Sequence, residues 1–275
     1  MESRSGNRLT LAVFILLVFL GGFNFVGARF SNRELAPFWG AGVRIGAAAL
    51  LLLALALVQR LPFPRGRALL YWALVELPAG LAAVILATAP LFTFLLALLQ
   101  GLERFRWRAL LGGLIALVGI AVISGGSLRG AVPLWSLLAA LGMAISFAEA
   151  SIIAKRFPKS HPVSTNVVAM AVGAIILLAL SGIRSEAWIL PTQRATWVAL
   201  GYLVLLGTST GFVLFLFVLR RWSASATAYQ FVLFPLVAVS ASALLEHTPV
   251  TLPFLLGGSL VLGGVYVGAV AQPTP

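Results

Sequence analysis

Nine stretches of this chain are apolar over about twenty residues each, the length an α-helix needs to cross the hydrocarbon core of a bilayer. They are 9–28, 36–58, 79–100, 109–127, 131–153, 162–183, 195–219, 222–245 and 252–271. Soluble domains carry about 25% charged residues, whereas this chain has 9% charged and 61% hydrophobic residues. None of the nine alternates apolar and polar as the strands of an outer-membrane barrel do. An all-α polytopic membrane protein is therefore expected, with each backbone hydrogen bond closed inside its own segment. The first stretch follows Arg4 and Arg8 but is longer than a signal peptide's apolar run and ends without a small-x-small site, so it is expected to stay as a span.

The net charge of +12 suggests nucleic acid only until its placement is read. The basic residues lie in the connections between spans, which is the pattern of positive-inside topology. With the N-terminus inside and ten crossings, thirteen residues fall on the cytoplasmic side: Arg4, Arg8, Arg60, Arg65, Arg67, Arg104, Arg106, Arg108, Lys155, Arg156, Lys159, Arg220 and Arg221. Five fall outside, namely Arg29, Arg33, Arg129, Arg184 and Arg194. No nucleic-acid partner is expected; the partners are the bilayer and a small molecule. Cytoplasmic termini in the cell inner membrane follow from the same bias. With no cysteine in the chain, a cysteine-held metal site is excluded, and neither metal nor cofactor is expected.

The chain is also duplicated. At a constant offset of 145, Pro90 falls on Pro235, Gly112 and Gly113 on Gly257 and Gly258, and Gly119 on Gly264. Closer to the front of each half the register is 127, matching GFNFVGARF, ending at Phe30, with SIIAKRF, ending at Phe157. Two repeats result, 1–128 and 129–275, and the first is about eighteen residues short. The shortage falls on a third helix, of which only ALLYWALVE remains ahead of Pro78. Nine residues rise about 14 Å, half a bilayer. The prediction is nine full spans plus a half-span at about 68–76.

These residues resemble the EamA-type transporters of the drug/metabolite transporter superfamily. The likeness is carried by FLGGFNFVGARF (19–30), Arg44, LPAGLAAVILATAPLF within 77–123, FAEASIIAKR (147–156), the run ALGYLVLLGTSTGFVLFLFVLRRW onward within 199–239, and LLGGSLVLGGVYVG (255–268). The resemblance implies two five-helix repeats of inverted topology around a central cavity, alternating access, and export of amino acids, metabolites or drugs. Two departures stand out. The third helix, which helps wall that cavity in the family, is truncated, and the family's Gly-Glu after helix four reads Leu102-Glu103, with His247-Thr248 in the second half and Glu246 displaced. Some related small transporters work as dimers, so a homodimer restoring the wall is one arrangement left open.

Ionisable groups inside a span are functional candidates because each costs about 2.5–3.5 kcal/mol to insert. Arg44 either meets an anionic group or carbonyls, or it snorkels to the interface. Glu149 is either a proton-coupling carboxylate facing the cavity or a residue near the interface beside Lys155 and Arg156. Glu76, Glu103 and Glu246 read as helix-end residues. The uncharged polar residues within spans are Asn24, Asn166, Thr208, Ser209, Thr210, Tyr229 and Gln230; Asn24 and Gln230 stand out as either lining a polar cavity or bonding a neighbouring helix, and Thr208 is a further candidate for substrate contact. Tyr71, Trp72, Tyr202 and Tyr229 are candidates for aromatic walls, or else for packing and interface anchors. Pro90 and Pro235 form a candidate hinge pair. Gly112 and Gly119, like Gly257 and Gly264, are seven apart on one face, where small residues let helix backbones approach.

An enzyme is disfavoured: the chain has no Asp, two His, and neither HExxH nor GxSxG. The rival to a transporter is a non-transporting assembly partner, or a remnant inactivated by the short third helix.

Overall fold

A computed structural model describes residues 2–62, 88–124, 134–156, 161–246 and 252–270. The half-span expected at 68–76, with Tyr71, Trp72 and Glu76, lies outside the described residues, as does the start of the span drawn at 79–100.

The described residues are all helical or in connections. In chain order the helices are α1 (Glu2–Ser31), α2 (Pro37–Val58), α3 (Ala89–Leu99), α4 (Trp107–Ser124), α5 (Leu134–Arg156) and α6 (Pro162–Ile183). There follow α7 (Arg194–Tyr202), a π-helical segment (Leu203–Thr210), α8 (Gly211–Arg221), α9 (Ala224–Ala228), α10 (Gln230–Glu246) and α11 (Leu252–Val265), which a second π-helical segment (Tyr266–Val270) continues. Six described spans are long and apolar enough to cross a membrane, among them Asn7–Ser31, Arg194–Arg221 and Leu252–Ala269; Ala89–Leu99 and Trp107–Ile123 are shorter apolar helices. The chain is thus a multi-pass helical membrane protein.

Packing pairs the first half with the second. Helix α2 lies along α6, α4 along α11, α1 along α10, and α3 along α5. The α4/α11 crossing is where the seven-spaced glycines meet. A Cβ on Gly112 would stand 2.5 Å from Gly264 O, and one on Gly119 2.6 Å from Gly257 O, so backbone touches backbone along an antiparallel seam. Lipid supplies no hydrophobic drive between helices, and close approach without side chains supplies dispersion instead. The α2/α6 pair is antiparallel too, with Gly42 against Leu178 and Gly46 against Ala174.

Helix ends show a second organising rule. Helix α6 is capped locally, His161 Nδ1 accepting from the Val163 N–H at 3.4 Å, and Pro162 needs no partner at the first position. Helices α2 and α7 have no such side chain at their own N-caps, Ala36 and Gln193. Glutamates from remote turns serve them. Glu186 accepts from the N–H groups of Phe38 at 3.2 Å and Trp39 at 2.8 Å. Glu34 accepts from the N–H and hydroxyl of Thr192 and from Gln193 N–H. Glu186 is aimed by the end of α6, where Ser185 adopts φ 52° and Glu186 N–H returns to Ser181 O at 3.0 Å, the six-to-one closure of a helix C-terminus. Stacked against this corner are Trp39 and Trp188, 4.9 Å apart and 10° from parallel.

Hydrogen bonds from the side chains of Thr192, first, and Thr196, with smaller ones from the Gln193 and Thr192 backbone, outweigh a slight burial effect and hold Glu34 down at about 2. Burial pushes Glu186 up, but the bonds from Trp39, Ser181 and Phe38 and the nearby Arg184 together bring it below the usual carboxylate range. A carboxylate whose folded value is depressed stabilises above its unfolded value of 4.5 and loses that contribution as pH falls toward its folded value. The unfolding temperature of the protein in detergent is accordingly expected to drop as pH falls from 4.5 toward 2. Glu34→Gln should lower it at neutral pH and flatten that acid dependence, a comparison that differential scanning fluorimetry makes directly.

Candidate functional site: a polar layer around a π-helical segment

The rod from Arg194 to Arg221 changes its winding at Leu203–Thr210, where the sequence LVLLGTST is π-helical. Thr210 Oγ1 donates to Leu205 O, five residues back, at 2.8 Å. A π segment widens the helix and leaves its carbonyls imperfectly matched, and such segments concentrate at functional positions. Here it packs against α1 and α2.

Polar groups lie on this segment and on α1 beside it, and others are buried elsewhere along α2 and α6. The Asn24 amide of α1 lies against Gly207, so closely that a Cβ there would stand 1.7 Å from Asn24 Oδ1. Thr208 and Ser209 follow in the same segment, both 4% exposed. Asn24 Oδ1, Ser209 Oγ and, on α6, Asn166 Nδ2 are buried without a hydrogen-bond partner among the described residues, and Arg44 Nε is buried as well. Arg44 sits seven residues into α2, roughly 10 Å from its start. A buried polar group without a partner costs about 1–3 kcal/mol, so acceptors and donors held inside a membrane bundle point to a polar guest.

Next to Asn24 begins a run of rings. Phe25 meets Phe234 at 6.1 Å, Phe234 meets Phe231 at 5.2 Å, Phe231 meets Phe147 edge-on at 4.3 Å, and Phe147 meets Phe215 at 5.3 Å. Four helices, α1, α10, α5 and α8, are joined by it. Polar layer and aromatic run together make an amphipathic interior.

The other candidates are placed as follows. Gln230 is buried at the start of α10, beside Phe231. Glu149 accepts from Gln100 Nε2 at 2.7 Å, which ties α5 to the end of α3. Tyr229 is 1% exposed, and its hydroxyl donates to Ala109 O at 2.8 Å, in the packing between α10 and α4. Pro235 lies inside α10, and Pro90 is the second residue of α3 as described. Glu103, read as a helix-end residue, lies in the turn after α3, and its side chain is 5% exposed and accepts from Ser225. Asn166 and Ser209 are legible in the sequence as polar residues within apolar spans, though not among its candidates for substrate contact. The phenylalanines gave no such signal, since a ring in an apolar helix does not contrast with its neighbours.

A multi-pass bundle that buries partnerless polar groups around a widened helix is the architecture of a membrane transporter. The chain belongs to the EamA-like transporter family, whose family model matches residues 65–125 and 134–269. It is 32% identical over 250 residues to the uncharacterized inner membrane transporter YedA of Escherichia coli K12, covering 83% of this chain and 79% of that one. It is 33% identical over 202 residues, 72% of this chain and 66% of the other, to a probable terminal-alkyne amino-acid exporter of Streptantibioticus cattleyicolor. A probable amino-acid metabolite efflux pump of Escherichia coli K12 is 26% identical over 278 residues, 92% of each chain. The fold also matches a chain of a solved crystal structure with a TM-score of 0.78 at 17% identity, covering 96% of this chain and 97% of that one.

Proposed function

We propose that this transporter exports a small zwitterionic or amphipathic metabolite, such as an amino acid, across the inner membrane by alternating access. The observation that carries the reading is the buried Asn24 amide against Gly207 of the π segment, with Thr208 and Ser209 following it, in a bundle that also buries Arg44 Nε and the phenylalanine run. A carboxylate of the cargo would meet the Arg44 guanidinium, its amine or hydroxyl would meet Asn24 Oδ1 and Ser209 Oγ, and its apolar part would lie on the rings. The names of two relatives, an amino-acid exporter and an amino-acid metabolite efflux pump, agree with that cargo. Cytoplasmic termini follow from the basic residues of the connections.

The reading includes two repeats, 1–128 and 129–275, of inverted topology, with nine full spans and a half-span. The antiparallel seam of α4 and α11, whose glycines correspond at the offset of 145, favours it. Repeats of this kind exchange roles as the bundle rocks about a site between them.

Uptake of labelled amino acids and apolar amines into proteoliposomes tests the proposal. The protein should show saturable uptake of at least one compound, and Arg44→Gln should lower kcat/KM for it about tenfold, the effect of about 1.4 kcal/mol. No compound rising above empty vesicles would overturn the reading in favour of an assembly partner. Glu149→Gln addresses coupling: an unchanged pH dependence of transport would remove Glu149 as the proton carrier.

A further inference from the structure

Two ends of the bundle are laced by polar contacts, and they are built differently. At the end where α2 begins, Glu186 and Glu34 cap helix N-termini across the two halves. Glu186 holds the start of α2, which packs along α6, while Glu34 holds the residues that lead into α7. At the opposite end the lacing joins two connections. Glu103 and Arg106 come from the turn after α3, whereas Ser223 and Ser225 come from the linker between α8 and α9 and its first residues.

The contacts there are short and cross the two halves. Glu103 Oε1 accepts from Ser225 N–H at 3.0 Å and Oε2 from Ser225 Oγ at 2.6 Å. Arg106 Nη2 bonds Glu103 Oε2 at 2.6 Å and reaches Ser223 Oγ and Ser225 Oγ at 3.3 Å each. Lys155, at the end of α5, donates to Leu219 O and Trp222 O and feels the charge of Glu103. Beyond these bonds, Gln100 at the end of α3 donates to Glu149 of α5 at 2.7 Å, and α3 packs on α5, on the five-residue α9 and, through Ala89, on Phe231 and Phe234 of α10.

We propose that Glu103 is the gating residue of this end: its bonds to Ser225 and Arg106 hold the first-half turn against the second-half linker while the polar layer faces the other side. This rests on the alternating-access reading above. The chemistry suits a switch. A carboxylate buried to 5% exposure is stable only while its donors surround it, and water replaces those donors when the two connections part. Both states satisfy the charge, so the cargo's binding can tip the balance between them. At a conventional ion pair exposed on both sides, neither state would depend on the contact.

The absence of native cysteine makes the test clean. A single cysteine at Thr208 reports access to the polar layer, and one at the exposed Arg104 marks which side of the membrane the Glu103 end faces. Membrane-impermeant maleimide is applied from each side of the membrane in turn. Glu103→Gln and, as a second variant on the partner residue, Ser225→Ala should each raise labelling of Thr208→Cys from the Arg104 side about tenfold and lower it from the other side. Labelling unchanged in both variants, or raised equally from both sides, overturns the proposal. Labelling needs no cargo: a shift in access without measurable transport of any compound would leave the gate standing while removing the transport reading.

Discussion

Gly207→Ala is expected to lower transport about tenfold or more while leaving the unfolding temperature within about 2 °C of the parent. The new Cβ would stand 1.7 Å from Asn24 Oδ1, 2.7 Å from Cγ and 3.0 Å from Nδ2. All three belong to one flexible side chain, which must swing about χ1 and carry its amide away, so the fold survives. What is lost is the placement of Oδ1 in the polar layer, and one polar contact to the cargo is worth about 0.5–1.5 kcal/mol, or 1.5–3 to a charged group. Asn24→Leu should reproduce the loss. Gly201→Ala, on the same rod with nothing within 4 Å of its Cβ, should transport as the parent does. Uptake and thermal unfolding measured on the same preparations separate these outcomes.

The second large effect falls on folding. Gly119→Leu should abolish monodisperse protein in detergent, because its Cβ would lie 2.6 Å from Gly257 O and 2.8 Å from Val261 N. Backbone atoms of a packed helix cannot rotate away, and overpacking of this kind costs about 1–3 kcal/mol even where side chains can shift. Gly264→Leu meets the same seam from the other side, with Gly112 O at 2.6 Å and Ala116 N at 2.7 Å. Gly263, one residue earlier, has nothing within 4 Å, and Gly263→Leu should elute and unfold like the parent. Fluorescence-detected size exclusion of the four proteins decides the matter.

Much of the helical frame was legible because lipid imposes one rule on every span. The stretches drawn at 36–58, 162–183 and 195–219 correspond to Pro37–Val58, Pro162–Ile183 and Arg194–Arg221. The seven-spaced glycines were legible too, since small residues repeated on one face have few other uses inside a membrane, and the structure brings Gly112 and Gly119 onto Gly264 and Gly257. The remote caps were not. Glu186 serves Trp39 across 147 residues, Glu34 serves Thr192 across 158, and Glu103 serves Ser225 across 122, and no local pattern announces a partner at that distance. The π segment was hidden for another reason: LVLLGTST lies in a span apolar on every side, where a change of helical period leaves no mark on the polarity pattern. Gly207 beside three hydroxyl residues was the available cue. Of the candidate site residues, Asn24, Arg44 and Thr208 sit on the elements that form the polar layer, Glu149 and Tyr229 are bound to helix packing partners, and Tyr71 and Trp72 fall outside the described residues.

The most direct test of the polar layer as the cargo site is a thermal shift of purified protein with each compound found to be transported. A ligand that binds the folded state stabilises it by about 2.7 kcal/mol at a hundred times its Kd. The parent should rise in unfolding temperature with a transported compound, and Gly207→Ala and Asn24→Leu should not at the same concentration. An equal rise in all three proteins would place the cargo elsewhere in the bundle and contradict the site.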